Sequence, residues 1–176
     1  MMGVSHKIIG FSAGLATAKL MADSGHVVSG LTDPMFAVAG VAGMIGAIAP
    51  DIDHMKSKAG RALPMISFIV SRLCDHRGAT HSIAMILMIL YFLSMFTHGL
   101  WAFFGIMFTI GMLSHILADM LCGGVQLFWP ITKKRIGLKL FRTGAIIETV
   151  IAATAFICAT VYVAWPTINP ILKEFL

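Results

Sequence analysis

Leu100 to Leu121 is an almost unbroken apolar run, yet near its end it carries Ser114-His115-Ile116-Leu117-Ala118-Asp119-Met120. At about 1.5 Å per residue, a helix of that length reaches across the hydrocarbon of a bilayer. His115 and Asp119 stand four positions apart, so they share one face of that helix. An imidazole and a carboxylate are costly inside a membrane unless they bind something. A divalent cation is the simplest thing for them to bind, and the rest of the chain should then supply further ligands at the same depth.

Composition agrees with a membrane setting. The chain has 176 residues, 58% hydrophobic and 12% charged, where a soluble domain is about 45–50% apolar and about 25% charged. The expected fold is all-α, a polytopic membrane helical bundle. It should have about four to five transmembrane helices plus a short interfacial helix, with residues 1–176 forming a single integral-membrane domain. The net charge of +5 sits in two loops between apolar runs. It therefore reads as a topology signal, and no nucleic-acid partner is expected. Cys74, Cys122 and Cys158 make an odd count and are expected to be free thiols. Cys74 and Cys122 lie close to candidate ligands, and thiolate binds zinc well, but inert thiols are the expected reading.

The segments follow in order. His6 to Ala22 is Gly- and Ala-rich and carries Lys19, so it is a full span or a helix lying half in the bilayer. Ile8 to Ala18 has the pattern of a signal peptide, with Ala16-Thr17-Ala18 as a cleavage site; the use of His6 below argues against its removal. Met35 to Ala49 is short and rich in small residues, as suits an inner helix, and Pro50 ends it. A basic loop, Asp51 to Thr80, contains an apolar stretch, Leu63 to Leu73, read as the interfacial helix. Ser82 to Phe96 and Leu100 to Leu121 are two spans joined by the turn Thr97-His98-Gly99. A second basic loop, Cys122 to Thr143, leads to Ala145 to Trp165, with Trp165-Pro166 as an interface and stop. Two spans separate the basic loops, so both fall on one side, the cytoplasm. The acidic 23–33 stretch falls on the other side.

That topology gathers polar residues at one end. His6 starts the first segment; Asp51, Asp53 and His54 leave the second; His76 and His81 enter the third. His115 lies about 9 Å inside the cytoplasmic end of the fourth by helix rise, with Asp119 shallower. Glu148 is one turn inside the fifth. His26 and His98 fall on the opposite face and read as surface or turn histidines. Singly, each residue has an ordinary explanation. A histidine can cap a helix, Asp51 can end one, Asp53 can pair with Lys56 or Arg61, and Asp119 can pair with Arg77. Those explanations leave His115 buried with no partner and do not account for the clustering.

The ligand set is too rich for one zinc, which takes about four ligands. Either several ions share bridging carboxylates, or one ion sits within further polar residues. The mixture of imidazole and carboxylate fits Zn²⁺ best, one to three ions, with Mn²⁺ or Fe²⁺ as other candidates. Such a centre suits hydrolysis, and two metals suit phosphoester displacement. Arg77 and Arg61 are natural phosphate clamps, and Glu148 is a ligand or the general base. A site at the interface meets lipid headgroups first, so a membrane lipid or lipid-linked substrate is expected.

The motifs resemble the YdjM-like (LexA-regulated) inner-membrane metal-dependent hydrolases over most of the chain. The resemblance runs through Ser5-His6-Lys7-Ile8-Ile9-Gly10, Pro50-Asp51-Ile52-Asp53-His54 and Gly60-Arg61. It continues in His76-Arg77-Gly78-Ala79-Thr80-His81-Ser82, Ser114-His115-Ile116-Leu117-Ala118-Asp119 and Gln126-Leu127-Phe128-Trp129-Pro130, and ends with Thr143-Gly144 and Glu148. It implies a multi-pass protein of the inner membrane, with His6, Asp51, Asp53, His54, His76, His81, His115 and Asp119 as metal-site candidates. More distantly the family looks like the all-helical zinc phospholipase C and single-strand nuclease group, which favours phosphoester chemistry. Those enzymes also use an N-terminal amine and a Trp backbone as ligand, and nothing at Met1 is expected to play that part.

Other classes remain. A cation transporter places its site near the midplane on broken, repeated helices, whereas these ligands gather at one end and no repeat is visible. A non-catalytic metal-binding membrane protein would offer no open coordination position. A His-Glu-x-x-His peptidase motif is absent.

Overall fold

The structure is a computed structural model and describes residues 1–25 and 33–175. Helices α1 (Gly3–Asp23) and α2 (Asp33–Gly46) are followed by a 3-10 turn at Pro50–Asp53 and the short helices α3 (Lys58–Ala62) and α4 (Pro64–Leu73). A second 3-10 turn, Ala79–His81, leads into α5 (Ile83–Phe96), α6 (Leu100–Cys122) and α7 (Ile146–Phe175). Among the described residues the only β feature is an isolated bridge between Val125 and Ile136. His26 lies outside the described residues, whereas His98 is exposed in the turn before α6.

The helical bundle is built for lipid. The stretches Pro34–Asp53, Leu100–Cys122 and Ile146–Pro170 are long and apolar enough to cross a membrane, by length and composition. Leu87, Tyr91 and Phe92 of α5 and Val150, Phe156 and Ile157 of α7 are large, apolar and exposed. A belt of that kind suits hydrocarbon better than water. Two of the five expected spans fall short of that description. Helix α1 is rich in Gly, Ala and Ser, and α5 has 14 residues, about 21 Å of helix. Helix α4 turns Met65, Ile66, Phe68, Ile69 and Leu73 outward, as an interfacial helix does. Helix α7 continues through Pro166 and Pro170 instead of stopping at Trp165-Pro166. A proline removes one N–H and frees one carbonyl. Near a membrane surface water can satisfy that carbonyl, so the helix tolerates it.

Helix α1 occupies the middle of the bundle, packed on α2, α6 and α7, while α2 also packs on α6. Glycines set the spacing. A Cβ built on Gly10 of α1 would lie 2.7 Å from the Gly43 carbonyl oxygen of α2. One built on Gly111 of α6 would lie 1.9 Å from the same oxygen. Three backbones therefore touch where no side chain fits, which is how small residues let helices associate in lipid. His6, Ala47 and His115 each follow one of these glycines, or precede it, by four residues. One helical turn from the crossing, they meet.

The second basic loop folds back on the end of α6. Leu138 N–H donates to the Met120 carbonyl at 2.7 Å and Leu140 N–H to that of Leu121 at 2.8 Å. Gln126 N–H donates to the Arg77 carbonyl at 2.9 Å, and Ile83 N–H to that of Leu127 at 3.0 Å. The Gln126–Pro130 motif thus clamps the segment that carries His76, Arg77 and His81.

At the far end of α1, Lys19 pairs with Asp23, and Tyr162 Oη donates to Asp23 Oδ2 at 3.0 Å. This ties α1 to α7 and gives both charges a partner.

Candidate metal centre

His81 and His115 lie with their Nε2 atoms 3.0 Å apart, and both side chains are fully buried. Their protons can be assigned from their neighbours. His115 Nδ1 lies 2.6 Å from the Ala47 carbonyl oxygen. That oxygen can only accept, so Nδ1 carries the hydrogen. Thr80 Oγ1 donates its single proton to Asp53 Oδ2 at 2.8 Å, so its 2.9 Å contact with His81 Nδ1 must be accepted from the ring. In the neutral rings both Nε2 atoms are therefore bare. Two lone pairs at 3.0 Å repel unless a cation stands between them.

Carboxylates complete the arrangement. Asp51 Oδ1 lies 3.7 Å from His115 Nε2. Asp119 Oδ2 lies 3.8 Å from His115 Nε2 and 3.9 Å from His81 Nε2. In a tetrahedral zinc site with bonds of about 2.0–2.1 Å, neighbouring ligand atoms are about 3.3–3.4 Å apart. The spacings here bracket that edge, so the residues present fit a divalent ion. Asp51, His81 and His115 form one group with ligand atoms within 4.8 Å of one another; His6, His115 and Asp119 form a second. His115 has one free nitrogen and can serve one ion. A second ion would be left with His6 Nε2 and Asp119 Oδ1, which lie 3.2 Å apart. The two oxygens of Asp119 thus face different partners, as a bridging carboxylate's do. The His6 ring stacks on His115 with centroids 3.7 Å apart, and its Nδ1 is buried without a hydrogen-bond partner.

Other candidates fall outside these two groups. Asp53 Oδ1 accepts from His76 Nδ1 at 2.9 Å; Asp53 Oδ2 accepts from Arg77 N–H and Thr80 Oγ1 and lies 3.3 Å from His81 Nδ1. Its work is to orient His81, the arrangement by which a carboxylate behind a ligating imidazole fixes ring and tautomer. The hydrogen bond to Asp53 holds the His76 imidazole above its ordinary pKa. His54 is exposed, with its ring 5.2 Å from that of His76. Glu148 is buried and engaged on both oxygens, with Met2 N–H at 3.2 and 3.3 Å and Gly144 N–H at 3.0 Å. It anchors the start of α1 to the start of α7. Among the described residues no cysteine joins either group; Cys122 Sγ lies 3.7 Å from Glu148 and Cys158 is exposed.

Two participants had no signal in the sequence. One is the Ala47 carbonyl, a backbone atom. The other is the α-amino group of Met1, 2.5 Å from Asp119 Oδ1 and 3.9 Å from Glu148 Oε1. The amine sits beside the cluster as an ion-pair partner of Asp119 and belongs to neither ligand group.

Arg77 borders the centre from the other side, its Nε 2.7 Å from Asp119 Oδ2 although the N–H is not aligned as a hydrogen bond. Its backbone is left-handed, with φ 63°. Such strain persists where neighbours over-determine it, here through the bonds to Asp53 and Gln126. Asp51, Asp119, His54, His76 and Arg77 open onto a cavity of about 330 Å³.

A family profile described as YdjM inner membrane protein matches residues 1–175. YvsG of Bacillus subtilis (strain 168) is 34% identical over 132 residues, covering 74% of this chain and 79% of YvsG. Inner membrane protein YdjM of Escherichia coli (strain K12) is 42% identical over 89 residues, covering 47% of this chain and 44% of that protein. The YdjM of Shigella flexneri matches to the same extent. No solved structure matches. On the whole-chain profile match, this chain belongs to the YdjM inner membrane protein family.

Proposed function

We propose that the protein is a membrane-embedded metal-dependent hydrolase that cleaves a phosphoester of a lipid or lipid-linked substrate at the cytoplasmic face of the inner membrane. The observation that carries this reading is the bare His81–His115 nitrogen pair, buried on the helix side yet open through Asp51 and Asp119 to a cavity. A site that only stored an ion would close around it; a catalytic one keeps a position open. Asp51, His81 and His115 would hold the ion, which leaves one of zinc's four positions open beside Asp119, and zinc suits this donor set. When bound it supplies Lewis acidity and activates water near neutral pH.

The chain's own residues do the rest. Asp53 and Thr80 keep the His81 proton on Nδ1. The Ala47 carbonyl does the same for His115. Arg77 presents its guanidinium beside Asp119, where it can orient a phosphoryl oxygen. The cytoplasmic placement is supported by both basic loops reaching this end: Arg77 lines the cavity, and Arg135 Nη2 donates to the His76 carbonyl at 3.3 Å. The test is metal-reconstituted protein in detergent, incubated with phosphatidylcholine vesicles doped with phosphatidic acid or a prenyl diphosphate. Phosphate release that stops with chelator and in His115→Ala supports the reading. Tight metal without turnover of any phosphoester lipid would oppose it.

A further inference from the structure

The cavity is more basic than the cleavage of a single phosphodiester requires. Beyond Arg77, its wall includes Lys56, Lys58 and Arg61. Among the described residues the Lys and Arg side chains paired with a carboxylate are Lys19 and Arg77. Lys56, Lys58 and Arg61 have no such partner there. Four cationic side chains thus line the cavity beside two carboxylates, Asp51 and Asp119, which a bound divalent ion would itself neutralise. A positive excess of that size in a cleft calls for a multiply charged anion.

Membrane topology alone does not explain the placement. Lys133, Lys134, Lys139 and Arg142 serve the positive-inside pattern equally well, and none of them lines this cavity. The backbone that carries the three cations is held against that of Asp51. Ser57 Oγ donates to the Asp51 carbonyl at 2.7 Å and accepts from Gly60 N–H at 2.8 Å. Lys58 and Arg61 are three residues apart on α3 and share a face. Gly60 seats α3 tightly, since a Cβ there would lie 2.3 Å from the His54 carbonyl oxygen.

We propose that Lys56, Lys58 and Arg61 form a second anion subsite, which binds a further phosphate of the substrate next to the one at Arg77 and the metal. This rests on the hydrolase reading and narrows its substrate to a diphosphate, or to a phosphoester with a neighbouring anionic group. Two sources share that chemistry, a lipid diphosphate and a soluble diphosphate.

The test compares pyrophosphate with orthophosphate by calorimetry on full-length protein in detergent, metal-loaded and metal-stripped. Wild type should bind pyrophosphate on the order of tenfold more tightly than orthophosphate. Lys56→Gln/Lys58→Gln/Arg61→Gln should lose that preference while keeping its metal content and its affinity for orthophosphate. Equal affinities in wild type, or a preference that survives the triple substitution, would overturn the proposal. A preference that depends on the three cations in protein unable to hold metal would uphold the subsite and sink the hydrolase reading instead. Competition by phosphatidylcholine vesicles containing a prenyl diphosphate, stronger than by the same concentration of a nucleoside diphosphate, assigns the ligand to the lipid. The reverse order assigns it to the soluble pool, with the subsite upheld either way.

Discussion

His81 Nε2 and His115 Nε2 face one another at 3.0 Å, one from a 3-10 turn and the other from the middle of the last turns of a membrane helix. Each ring is fixed from behind by an acceptor for its Nδ1 proton. The pair is therefore prepared for a cation before any cation arrives.

Removing one member should empty the centre. Wild-type protein is expected to purify with at least one tightly held transition metal per chain, and His115→Ala with little or none. Elemental analysis of the two side by side measures this. Equal metal in both would remove His115 from the centre.

Asp53 is expected to act through His81 without touching the ion. Asp53→Asn should weaken metal affinity by about 10–100-fold, the usual effect of losing the carboxylate behind a ligating histidine. Competition with a chromogenic chelator reads this directly. A variant that lost metal as completely as His115→Ala would make Asp53 a ligand.

The glycine crossing should tolerate no side chain. Gly111→Ala places a Cβ 1.9 Å from the Gly43 carbonyl oxygen, and backbone cannot yield as a side chain can. A loss of about 1–3 kcal/mol or more is expected, together with weaker metal binding, because Gly111 is one turn from His115. Gly105→Ala is the control. The atoms nearest its Cβ belong to the Leu93 side chain, from 2.7 Å, which can rotate away. Thermal melts in detergent should separate the two variants clearly.

The His76–Asp53 pair should show a pH signature. Its hydrogen bond raises the His76 pKa in the folded protein. A raised pKa means stability that is fully present below the unfolded value of about 6.5 and is lost as pH rises through the folded value. The thermal penalty of His76→Ala in metal-free protein should therefore be larger in mild acid than in mild alkali. Because His76 is partly exposed, solvent screening keeps the difference small. A penalty that grew with pH would contradict the assignment.

Acid should also strip the metal. Imidazole and carboxylate ligands bind metal in their deprotonated forms, so protons compete with the ion. Metal retention measured by dialysis should fall as pH is lowered, and His76→Ala should leave that profile nearly unchanged.

Much of this was legible in the amino-acid order. Apolar runs around Met35–Ala49, Leu100–Leu121 and Ala145–Trp165 dictated membrane helices, because lipid leaves the backbone no other partner. The i, i+4 spacing of His115 and Asp119 put both on one face of one helix. Periodicity could not separate ligands from the groups that orient them. Asp51 and Asp53 sit two residues apart in one 3-10 turn, yet Asp51 faces His115 while Asp53 turns back to Thr80 and His76. Backbone direction within that turn decides the difference, and only packing fixes it. The Ala47 carbonyl and the Met1 amine likewise carry no side-chain signature. The carbonyl reaches the centre one turn from where three helices cross at Gly10, Gly43 and Gly111, and the amine reaches it through Asp119 and Glu148. Chain order thus set which chemistry is available and at which end of the bundle. Tertiary contact decided which atom of each residue faces the candidate metal centre.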